Sequence, residues 1–295
     1  MQARFATRRR EFLAAGLGAL GAAITTRRAA GEPLPDLGTP VDFHVHLDKS
    51  TIDRVLELSR ERHVKFGIVE HAGTKENQYP TVLSNDAELA RWLAMLEGKP
   101  VYRGVQAEWT DWPSCFSPEM LARLDYVLTD AMTFPGKDGR RVKLWEKDVE
   151  SRVEMADREA FMERYVDWHV QIIRKLPIDI FANFSWLPKP LVADYDEFWS
   201  PARMHRVVQA MREHRVAMEI SSSYKLPKRP FAEMAKAAGV KFSLGSNGRY
   251  PNMGKLEYSL AMVRDLGLTK ADFFMPAPYE ERLRRVSRVL RGPPN

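Results

Sequence analysis

Short apolar runs of four to six residues recur along the chain. They are separated by stretches in which apolar residues return every three to four positions. Residues 41–46 read as a strand, and 51–63 as a helix with Ile52, Val55, Leu56 and Leu58 on one face. Residues 65–70, 101–108, 126–131, 178–183, 216–221 and 241–244 supply six further strands. Ser84 caps a helix through Leu89, Trp92, Leu93 and Leu96, and Ser117-Pro118 and Ser200-Pro201 open two more. The longest helix covers 157–175, where Phe161, Tyr165, Trp168 and Ile172 form a core-facing stripe. Residues 229–238, 255–266 and 279–290 complete the helices. Strands alternating with helices, with no break in composition, predict one β/α domain over 41–295, either a barrel or a doubly wound sheet. Two stretches, 132–155 and 189–199, have no clear period and read as an irregular excursion and a long loop.

The first 40 residues follow a different pattern. Arg9-Arg10 with Phe12 and Leu13 precedes thirteen apolar or glycine residues, 12–24, and then a small-residue tail. A basic start and a run too short to span a bilayer predict a signal peptide at 1–31, with a Pro-rich linker at 32–40. The twin arginine resembles a bacterial twin-arginine (Tat) export signal. It implies the Tat translocon as a partner and a periplasmic or secreted location.

Charge placement narrows the partners. Six arginines against two glutamates give residues 1–32 a local +4, so only +2 of the chain's +6 belongs to the rest. That balance predicts no nucleic-acid partner. The single cysteine, Cys115, excludes an intramolecular disulfide framework and any cysteine cluster. A metal would have to be held by His, Asp and Glu.

The polar residues gather where strands end. The first strand ends at His44 and His46, with Asp48 and Lys49 beyond, and the second at Glu70-His71. The third ends at Glu108, the fourth at Asp130, the fifth at Asn183 and the sixth at Glu219. The seventh runs into Asn247 and Arg249. In a barrel these ends share one rim, where barrel enzymes place their chemistry. Two alternating histidines on a strand face the same way, as a metal requires. Trp109, Trp112 and Trp186 near strand ends suit stacking on a sugar.

Asp42, His44 and His46, followed by a helix and the 66–71 segment ending Glu70-His71, resemble the opening of the PHP (polymerase and histidinol phosphatase) superfamily. Residues 125–132, 217–221 and 234–246 resemble its later segments in the same order, and the likeness covers 41–268. It implies a distorted seven-stranded (β/α)7 TIM-like barrel and a metal-dependent hydrolase, acting on a phosphate ester or related small anionic substrate. The implied ligands are His44, His46, His71 and Glu108. The chain departs from the pattern at Glu70, which stands for an Asp, and at Met132 and Asn183, which stand for histidines. Asn247 and Arg249 take the place of the Asp-x-His of the seventh strand. Thioether, amide and guanidinium are poor or impossible ligands, so the expectation is one divalent ion, Zn, Mn or Fe, or at most two. Asp130 or Glu70 then accepts a proton, and Arg249, Asn183, Asn247, Glu219 and Lys49 hold the substrate. Two other readings stand beside this one: an amidohydrolase-like C–N hydrolase, and a non-catalytic periplasmic binding protein on the same barrel.

Overall fold

The computed structural model describes residues 38–48 and 50–291. The β-branched and aromatic runs form seven parallel strands: β1 Val41–His46, β2 Lys65–Val69, β3 Tyr102–Ala107, β4 Tyr126–Thr129, β5 Ile180–Phe181, β6 Ala217–Ser221 and β7 Phe242–Gly245. Their order is β2-β1-β7-β6-β5-β4-β3, and β3 pairs back onto β2, which closes the barrel. A two-residue extension, His71–Ala72, continues beside β3. The α/β barrel is therefore the fold, and the doubly wound alternative is excluded by closure.

Helices cover the outside because each has one apolar face, and the large core lies between them and the strands. The helix Arg158–Lys175 buries Phe161, Tyr165, Trp168 and Ile172 as its spacing predicts. Thr51, Ser117, Asp157 and Ser200 cap their helices. The cap at the second helix is Asn85 rather than Ser84: Asn85 Oδ1 accepts from the Glu88 amide, while the Ser84 amide donates to the Glu88 carboxylate. Residues 132–155 are not irregular throughout. Thr133–Pro135 and Arg141–Lys143 pair as an antiparallel hairpin, and Asp111, Thr74 and Asn77 accept from Arg141, which straps it over the rim.

The barrel interior has two layers. Its floor is a plug of Phe43, Val69, Tyr126, Leu128, Ile180, Ala182 and Ala217. The Tyr126 ring fills space left by Gly67 and Gly104; a Cβ at Gly104 would fall 2.4 Å from Tyr126 Cζ. The Tyr126 hydroxyl donates to the Phe43 carbonyl at 2.7 Å. The register of β1 against β2 slips between Asp42 and Val45, which marks a bulge. A bulge sets two consecutive side chains against one partner and re-aims them. Here Phe43 joins the plug while His44 joins the polar layer above it.

Opposite the polar layer, the helix Tyr279–Arg291 sends Arg282, 2% exposed, to the carboxylate of Asp179. Among the described residues no helix is long and apolar enough to cross a membrane.

Candidate active site

Parity along the parallel strands aims His44, His46, His71, Gln106, Glu108, Asp130 and Glu219 at the carboxyl end of the barrel interior. His44 is fully buried. Its Nδ1 lies 2.7 Å from Glu219 Oε1, and its Nε2 lies 3.0 Å from Gln106 Oε1. The Gln106 amide is oriented by its other end, since Nε2 donates to Glu108 Oε1 at 3.2 Å and to Asp130 Oδ2 at 3.5 Å. The atoms that face the two ring nitrogens are both acceptors, an arrangement that suits the doubly protonated ring. Burial pulls the imidazole's pKa down, but the charge and hydrogen bond of Glu219, with Gln106, outweigh it and leave the pKa raised. His44 and Glu219 form a buried imidazolium–carboxylate pair.

Each carboxylate in this layer is already answered by protein donors. Glu108 Oε2 accepts from the Thr133 hydroxyl at 3.3 Å. Asp130 Oδ1 accepts from the Met132 amide at 2.9 Å, and Oδ2 from Asn183 Nδ2 at 3.1 Å. Glu219 Oε2 accepts from the Asn183 amide at 2.6 Å. Asn183 adopts φ 46°, a left-handed conformation that asparagine tolerates better than most residues. That turn brings both its backbone and side-chain N–H groups into the cluster. Asp130 is pushed up to about 7, first by burial and then by the neighbouring charge of Glu108.

His46 and His71 differ from His44. Neither ring nitrogen of His46 has a partner, nor does Nδ1 of His71, and both residues are buried. The His71 Nδ1 to Glu108 Oε1 separation is 3.4 Å. The rings of His44 and His46 lie 5.3 Å apart and those of His46 and His71 5.0 Å. His46 is held neutral, its pKa driven well down by burial and then by the charges of His44, His71 and Arg249. Tyr79 stacks face to face on His71, with centroids 3.6 Å apart, and Lys143 lies 4.0 Å over the other ring. Glu70 Oε1 accepts from the His71 amide at 2.8 Å, and burial raises its pKa.

At the rim, Arg249 donates to Asp48 Oδ2 at 2.8 Å and to Asn247 Oδ1 at 3.3 Å. Asp48 is its carboxylate partner, in place of the Glu108, Asp130 or Glu219 that strand-end proximity suggests. Those three are saturated from within. Lys49 lies outside the described residues, as do 1–31 and most of the linker. Trp112 is fully buried and offers no stacking face, while Trp109 packs on Trp168. His169 is a core residue, lowered to about 4 by burial. Sequence reasoning missed Gln106, Thr133 and Tyr79. Gln106 had a signal, because it stands two residues before Glu108 on one strand and so shares its face.

The four expected ligands thus meet in one place, but as arranged they do not fit a divalent centre. Both ring nitrogens of His44 are already engaged, by Glu219 and Gln106, and among the described residues no three His, Cys, Asp or Glu side chains are gathered to hold an ion.

No protein-family profile matches the chain, and no curated protein matches it. Among solved structures, the chain is similar to the histidinol phosphate phosphatase of Lactococcus lactis subsp. lactis Il1403, solved with zinc, L-histidinol and phosphate. The TM-score is 0.52 at 12% identity, over 81% of this chain and 96% of that one. The likeness is one of fold, and it agrees with the closed seven-stranded barrel.

Proposed function

We propose that the chain is a hydrolase of a small anionic substrate, a phosphate ester or a related compound, with the polar layer at the strand ends as its active site. The observation that carries this reading is the pair of buried imidazoles, His46 with both ring nitrogens unpaired and His71 with Nδ1 unpaired, beneath a rim that holds Arg249. The fold shared with a phosphatase supports it.

Unpaired, neutral His46 has ring nitrogens free to hold and orient a water by hydrogen bonds, while its lowered pKa makes it a weak base. Arg249 is exposed and tied only to Asp48 and Asn247, so it is free to exchange them for a phosphoryl or carboxylate group by a charge-assisted contact. Asp130, poised near neutrality, is suited to exchange a proton with a leaving oxygen, and Glu70 to orient His71. A divalent ion is the cofactor that the family resemblance implies, and the residues as arranged do not fit one. The N-terminal segment supports export by the Tat route to the periplasm or beyond.

The test is turnover of a panel of small phosphate mono- and diesters by the purified protein, beside His46→Ala and Arg249→Ala. Turnover should fall by about 100-fold in His46→Ala. A wild type that turns over none of the panel would overturn the hydrolase reading. Binding of inorganic phosphate without turnover would put the binding-protein reading in its place.

A further inference from the structure

We infer that the strand-end cluster is a metal-independent polar core, in which the carboxamides of Gln106 and Asn183 occupy the role that bound cations would otherwise fill. This stands whether the site hydrolyses its ligand or only binds it.

Glu108, Asp130 and Glu219 bring three carboxyl groups into one buried layer, an arrangement that needs compensation. Divalent ions are one solution. This chain uses another, made of N–H donors. Gln106 Nε2 spans Glu108 and Asp130 at 3.2 and 3.5 Å, and Asn183 Nδ2 reaches Asp130 at 3.1 Å. The Asn183 amide and the His44 imidazolium take one oxygen each of Glu219. With Met132 N and Thr133 Oγ1 added, every oxygen of Glu108, Asp130 and Glu219 has a donor.

An entering dication would have to compete with these donors for the carboxylates and part His44 from Glu219 or Gln106. What remains is His46 and His71, with one free amide oxygen, Asn183 Oδ1. Two imidazoles and an amide, without a charged ligand, are too few for tight binding of zinc, manganese or iron. The two amides are also neutral, so they satisfy the carboxylates by dipole and leave the layer less charged than a carboxylate at 106 would. Replacing Gln106 by Glu removes the N–H donors and adds a fourth carboxyl group, and replacing Asn183 by His supplies a lone pair.

The experiment is a metal count on the untagged full chain, purified from medium supplemented with zinc, manganese and iron, together with thermal unfolding in the presence and absence of chelator. The wild type should carry fewer than about 0.1 equivalents, and chelator should shift its unfolding by less than about 1 °C. The Gln106→Glu, Asn183→His variant should gain about one equivalent and lose it to chelator. A wild type that holds one equivalent or more, or that chelator destabilises, overturns the inference. A folded double variant that stays metal-free overturns it too, since the amides would then not be what keeps ions out. If the double variant does not fold, the wild-type measurements decide alone. Neither readout needs turnover, so a metal-free, inactive protein sinks the hydrolase reading and leaves this one standing, while a metal-loaded, active one does the reverse.

Discussion

Gly245 on β7 leaves the space that Glu219 on β6 occupies: a Cβ at Gly245 would fall 2.0 Å from Glu219 Oε1 and 2.6 Å from its Cδ. The obstruction would be the carboxylate itself, held at that place by His44 and by the Asn183 amide. Gly245→Ala should therefore push Glu219 off His44 and leave a buried charge unpaired. We expect a loss of about 3 kcal/mol in denaturant unfolding. A variant as stable as the wild type would show that Glu219 has another resting place.

Stability should depend on pH through Asp130. Its carboxyl is raised from 3.8 to about 7, mainly by burial. Between those values the folded chain keeps a proton that the unfolded chain releases, so this group's contribution falls as pH rises through the window. His46, lowered from 6.5, acts in the opposite sense and favours the folded state as pH rises. Asp130→Asn removes the first effect only. Relative to wild type, that variant should be more stable at pH 8 than at pH 5. Equal differences at the two values would count against a buried, protonated Asp130.

Arg249 should matter for ligand and little for folding. Its side chain is 44% exposed and paired with Asp48 at the surface, where such pairs contribute less than about 1 kcal/mol. Arg249→Ala should weaken inorganic phosphate binding by about 10- to 100-fold in calorimetry, with the unfolding midpoint unchanged. Unaltered phosphate affinity would remove Arg249 from the site.

The proposed Tat export predicts a requirement for Arg9 and Arg10. Replacing both by lysine should leave a reporter fused behind residue 40 in the cytoplasm. Continued export would refute the Tat assignment.

Alternation was enough to read the seven strands but left a barrel and a doubly wound sheet open; the family resemblance implied the barrel, and strand-end position put His44, His46, His71 and Glu108 on one rim. Each of those signals is local, so it survives in one dimension. What the pattern does not encode is which donor meets which acceptor. Asp48 rather than a barrel carboxylate takes Arg249 because the deeper carboxylates are filled by Gln106, Asn183 and Thr133, and Thr133 comes from a hairpin that has no period in sequence. Tyr79 reaches His71 from a loop, where periodicity carries no information. The strand parity of β1 also misleads at one step, since the bulge turns Phe43 and His44 inward together.

That bulge ties the apolar plug to the chemistry above it. Phe43 and His44 are consecutive, so the lower ring and the upper imidazole share one peptide unit, and its carbonyl is gripped by the Tyr126 hydroxyl. Tyr126 in turn stands against Gly67 and Gly104 on two other strands. The position of His44 is thus set from beneath by a lever with its fulcrum at Tyr126. A change that slackens the floor, even one that touches no polar residue, would be transmitted upward as a displaced imidazole.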